Sequence, residues 1–137
     1  MTAKRFALST LAGGITLFVL GYTMYELVFA DFFAANAGSA TGVNREAFEF
    51  WALGLGQLVW GALLTVVLGN WAGVSAAGTG LKAGATVGLL FILGFDLTLY
   101  GVTNLSNLTA TLVDPILSMV QFAGAGAVIG VVLGKTS

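Results

Sequence analysis

The chain has 137 residues, of which 58% are hydrophobic and 8% charged, with a formal charge of −1. Five basic and six acidic side chains cannot cover a water-soluble surface, which normally carries about 25% charged residues, so lipid is the expected solvent. The sequence has no cysteine and no histidine, which excludes disulfides, thiol chemistry, imidazole acid–base work and most transition-metal sites; the near-neutral charge gives no case for nucleic acid.

A membrane helix needs roughly 20 mostly apolar residues. Four segments qualify, at about 6–32, 48–70, 81–101 and 113–134. They predict an all-α, four-transmembrane-helix bundle forming one domain over 1–137. The first span follows Lys4 and Arg5 and carries Tyr22 and Glu26, which are four residues apart and so share a helix face. The basic start, the apolar run and "AANA" near 34–37 resemble a secretory leader. The run is too long for a leader's apolar core and contains Glu26, so a retained helix is expected.

A longer connection, 33–47, leads to the second span, which Trp51 and Trp71 bracket at the separation of two interfacial belts. Trp60, between them, is expected to pack inside, and Gln57 lies near mid-depth. The third span carries Gly80, Gly84 and Gly88, and the fourth Gly126, Gly130 and Gly134. Spacing by four lines each set along one face, where backbones can approach closely. The ladders serve either packing within the chain or an oligomer interface, and predict a tight, dry inner half.

Asp96 and Tyr100 also share a face, near the outer end of the third span. "NLSNLTATLVDP" (104–115) follows. It reads first as a turn in which Asp114 caps the fourth helix and Pro115 takes its first position. Thr109 and Thr111 offer an earlier cap, while Asn104, Ser106 and Asn107 can satisfy carbonyls ending the third span. Asp114, Ser118 and Gln121 then form one stripe on the fourth span. Carboxylates facing lipid are costly, by about 2.5–3.5 kcal/mol on insertion scales, so these groups should turn inward.

Orientation follows from the basic residues. With four spans, Lys4, Arg5, Lys82 and Lys135 fall on one side and only Arg45 on the other, which places both termini in the cytoplasm. Glu26, Asp31, Glu46, Glu49, Asp96 and Asp114 then all lie toward the outside. "LFVLGY" (17–22) matches "LFILGF" (90–95), and "GALLTVVLG" (61–69) matches "GAVIGVVLG" (126–134). These matches suggest two tandem hairpins, 1–70 and 80–135, related in parallel about an axis along the membrane normal.

The segments "LFILGFDLTLYGVTNLSNLTATLVD" (90–114) and "GQLVWGALLTVVLG" (56–69) resemble small four-helix integral membrane proteins of bacteria, in families known mainly as domains of unknown function. The most specific part is "YGVTNLSNLT" (100–109). The resemblance implies the four-helix layout and a bacterial inner (cytoplasmic) membrane, and carries no activity or site.

Three functional readings follow, in order. The first is a non-catalytic bundle, either a homo-oligomer or an accessory subunit of a larger membrane assembly, with no cofactor and the bilayer as principal partner. The second is a channel or carrier for a small cation, proton or cationic solute. Glu26, Asp96, Asn104, Asn107 and Asp114, with Gln57, Gln121, Tyr22 and Tyr100, would supply oxygen-rich ligands in an outward-facing pocket. No compact motif for a bound metal is present. The third and weakest is a membrane-embedded enzyme acting on lipid through carboxylates.

Overall fold

The computed structural model describes all of residues 1–137, and every element is helical. Four helices are long and apolar enough to cross a membrane: α1 (Ala3–Val28), α3 (Phe50–Trp71), α4 (Ala77–Val102) and α5 (Leu108–Lys135). A short α2 (Ala30–Ala35) follows α1.

The helix boundaries differ from the sequence expectation at the end of the first span and the start of the fourth. The first span does not run to residue 32. Over Thr23–Val28 the helix widens into a π turn, Phe29 leaves helical geometry at φ −107° and ψ 12°, and α2 begins after it. The fourth helix starts at Leu108, not near 113, because Asn107 caps it: the Asn107 side chain accepts a 2.9 Å bond from the Ala110 amide. Asp114 is therefore not a cap, and Pro115 lies inside the helix. Thr111 does not cap either; its hydroxyl donates back to the Asn107 carbonyl at 2.8 Å. The carbonyl of Leu99, near the end of α4, is satisfied by the amide and hydroxyl of Thr103 rather than by Asn104, Ser106 or Asn107.

α5 is the central helix. Half of its most apolar stretch is buried inside the protein, against 6% for α4, which lies at the rim. Within lipid, apolar side chains gain little by meeting each other, so close backbone approach and van der Waals contact hold helices together. The glycines supply that approach. A Cβ at Gly80 would collide with the Gly126 carbonyl, at Gly84 with the Phe122 carbonyl, and at Gly126 with the Gly80 carbonyl. A Cβ at Gly88 would come within 2.5 Å of the Phe122 side chain. Gly130 and Gly134 meet the carbonyls of Ala76 and Ser75, just before α4. On the other side of α5, α1 packs on α3 through Gly14 and Gly61, where a Cβ at Gly61 would lie 2.7 Å from the Thr10 carbonyl.

These contacts leave one buried apolar cluster, of Leu17, Leu64, Leu68, Val74, Phe122, Ala125, Ile129 and Leu133. Most of it lies toward the end of the bundle that holds both termini. There Arg5 donates a 2.9 Å bond to the Leu133 carbonyl, so a cation sits on the exposed C-terminal carbonyls of α5. Thr2 caps α1 by accepting from the Arg5 amide at 3.1 Å. Trp60 packs inside, edge-on to Phe91 at 4.9 Å and Phe122 at 5.7 Å, whereas Trp51 and Trp71 are exposed.

The opposite end is built differently. The connection after α2 is strapped onto the α4–α5 turn by backbone bonds. Gly38 and Ala40 donate to the carbonyls of Leu105 and Asn104, both at 3.0 Å, and Asn107 donates to the Asn36 carbonyl at 3.1 Å. The side chains add an Asn107–Asn36 amide bond of 3.0 Å. Gly38 is required there, since a Cβ would strike the Asn104 carbonyl.

Candidate functional site

The half of the bundle away from the termini contains two adjoining cavities. The larger, about 300 Å³, lies between α1, α3, α4 and α5; Tyr22, Glu26, Gln57 and Gln121 line it, together with Tyr25 and Ser118. The smaller, about 220 Å³, lies beneath the strap; Asp96, Tyr100 and Asp114 line it, again with Tyr25. Sequence-selected residues thus divide into two groups. Asn104 and Asn107 join neither: Asn104 is exposed, and Asn107 is consumed by the helix cap and by Asn36.

Tyr25 connects the two cavities. Its hydroxyl donates to Asp114 Oδ1 at 2.5 Å and lies 3.1 Å from Ser118 Oγ. One phenol therefore ties α1 to two successive turns of α5. Tyr25 lies within the π turn of α1. Accommodating an extra residue in the turn rotates the side chains that follow, and such turns recur at functional sites. Simple helical spacing favours Tyr22 and Glu26 and gives no reason to choose Tyr25.

The smaller cavity is acidic and has no counter-charge. Asp96 on α4 and Asp114 on α5 both line it. Asp96 Oδ2 is buried with no hydrogen-bond partner. None of the five basic residues lines either cavity. Pro115, lacking an N–H, deprives the Thr111 carbonyl of its usual helical donor, and Thr111 is among the residues lining this cavity. Broken helix hydrogen bonding within a membrane is tolerated where it borders a cavity.

No protein-family model matches this chain, nor does any curated protein or solved structure. Its function must therefore be argued from the geometry.

In the larger cavity, Gln121 is buried and donates to the Leu17 carbonyl at 2.8 Å, which leaves its own carbonyl oxygen for the cavity. Phe18, Tyr22, Tyr25, Phe48, Trp60 and Phe122 supply aromatic walls. Phe18 and Tyr22 stack at 6.2 Å with their planes 7° apart.

The half of the bundle nearer the termini contains polar atoms that sequence reading did not single out. The hydroxyls of Ser9, Thr10 and Thr65 are buried without partners. They belong to α1 and α3, so this half is tight at its glycines but not wholly apolar.

Proposed function

We propose that this protein is a multi-pass, non-catalytic bundle of a bacterial inner membrane, with both termini cytoplasmic, that binds a small cation or proton at Asp96 and Asp114. The single observation carrying the reading is the joint placement of these carboxyls, from different helices, around one cavity that lacks any basic side chain. Two carboxylates facing each other at membrane depth are costly unless a positive charge joins them. A proton or a monovalent ion supplies that charge. A dehydrated divalent ion is a poorer fit, because calcium takes six to eight oxygens and no cluster of three or more carboxylates forms.

Tyr25 is the positioning residue in this reading. Its hydrogen bond orients Asp114 and leaves that group's remaining oxygen free to share the cation with Asp96. The basic residues at the terminal end support the orientation, since Lys4, Arg5, Lys82 and Lys135 outnumber Arg45. The cavity then opens toward the outer surface, beneath the strap. Equilibrium binding to the purified protein in lipid nanodiscs tests the reading: saturable uptake of sodium, potassium or protons is expected, and Asp96→Asn and Asp114→Asn abolish it. Uptake unchanged in both variants, with the proteins folded, would end it.

A second reading, as a homo-oligomer or accessory subunit, is favoured by a different observation. Gly54 and Gly56 on α3, and Gly94 and Gly101 on α4, have open space where a Cβ would lie. These glycines assist no packing within the chain and are suited to a neighbouring helix. Native mass measured from membranes separates the readings: partners present without any cation response would favour the subunit role.

A further inference from the structure

We propose that the larger cavity is a separate binding site for a hydrophobic organic cation, with Glu26 as its counter-charge and the aromatic walls as its cage. The inference does not rest on Asp96 and Asp114, which line the other cavity.

Three features converge on this ligand class. The first is size: about 300 Å³ falls at the lower end of small-molecule sites and exceeds what a bare inorganic ion needs. The second is the wall chemistry. Six of the lining residues are aromatic, Phe18, Tyr22, Tyr25, Phe48, Trp60 and Phe122, and they come from α1, α3, α5 and the outer connection. Aromatic rings gathered around one space are the wall chemistry of cages that hold quaternary ammonium groups. The third is charge. Glu26 lines this cavity, and the protein's one ion pair, Arg45 with Glu49 at 3.7 Å, lies on the exposed outer connection. A neutral apolar guest would gain nothing from that carboxylate. An anion would be repelled by it.

The polar groups complete the site without supplying positive charge. Gln121 is fixed by its bond to the Leu17 carbonyl and presents its own carbonyl oxygen, and Gln57 faces the same space from α3. Both amide oxygens suit the positive edge of an alkylammonium. Glu26 lies in the π turn near the outer end of α1, so a ligand that partitions into the outer leaflet meets the carboxylate before the aromatic floor made by Trp60 and Phe122.

The test uses the full-length protein in detergent, with Trp51 and Trp71 replaced by Phe so that Trp60 alone reports fluorescence. Benzyltrimethylammonium is the probe, and neopentylbenzene, in which carbon replaces the charged nitrogen, is its neutral isostere. The cation should quench Trp60 saturably, and the isostere should bind at least about tenfold more weakly, the scale of a desolvated cation–π contact. Glu26→Gln should weaken the cation by a similar factor. Asp31→Asn, a carboxylate exposed like Glu26 but lining neither cavity, should leave the affinity within twofold of the parent. Equal binding of the two probes, or equal loss in Asp31→Asn and Glu26→Gln, overturns the proposal. If Glu26→Gln fails to fold, the preference for charge in the parent protein decides alone.

Discussion

Tyr25 and Asp114 are joined by a 2.5 Å hydrogen bond across 89 residues of sequence, and this contact links the π turn of α1 to the central helix. It fixes one carboxyl of the acidic cavity and forms part of the wall of both cavities.

Tyr25→Phe should therefore destabilise the protein by about 1–3 kcal/mol, the usual cost of stranding a buried polar partner. Thermal unfolding in detergent would show it. An unchanged midpoint would mean that Asp114 is held by something other than the phenol.

The α4–α5 seam gives a contrast between two glycines on one helix. Gly84→Ala should cost about 1–3 kcal/mol through overpacking, because its Cβ meets the Phe122 carbonyl, which is backbone and cannot turn aside. Gly94→Ala should leave monomer stability unchanged or slightly raised, since nothing lies within 4 Å. Differential scanning in detergent compares the two. Equal effects would contradict the account of this interface.

At the end away from the termini, Asn107→Ala removes both the helix cap and the side-chain bond to Asn36. A cap alone is worth about 1 kcal/mol. Hydrogen exchange should quicken at Ala110, and also at Gly38 and Ala40, whose amides hold the strap. Gly38→Ala should free the strap while leaving Ala110 protected. Loss of protection at both places in both variants would mean that the cap and the strap are one unit.

Ser9 and Thr65 test the inner half. Their hydroxyls are buried without partners, and an unmade hydrogen bond costs about 1–3 kcal/mol. Ser9→Ala and Thr65→Val should be neutral or stabilising in thermal unfolding. Marked destabilisation would show that these hydroxyls are satisfied through ordered water, as a polar route across the inner half would require.

The long apolar spans were legible because hydropathy over roughly 20 residues depends on composition rather than on detail. Trp60 was legible as a packing residue for the same reason: it lies in mid-span, away from either interface. The assembly of the site was not. Tyr25 lies in the π turn, where side-chain directions depart from those that simple helical spacing gives. Asn107 and Asp114 are equally good caps by residue type, and the choice between them is made by Asn36, which lies 71 residues away. The strap is held mainly by backbone groups of Gly38 and Ala40, and neither side chain announces such pairing. The division of polar residues between two cavities depends on how α1, α4 and α5 rotate about their axes, which helical periodicity leaves open.

The most direct test of the central claim is thermal stability of the purified protein in detergent, titrated separately with sodium, potassium and protons at constant ionic strength. The parent should be stabilised saturably by at least one of them, by about 2.7 kcal/mol at one hundred times the dissociation constant, and Asp96→Asn combined with Asp114→Asn should remove that response while the variant still unfolds cooperatively. A parent indifferent to all three, or a double variant that responds as the parent does, would contradict the claim.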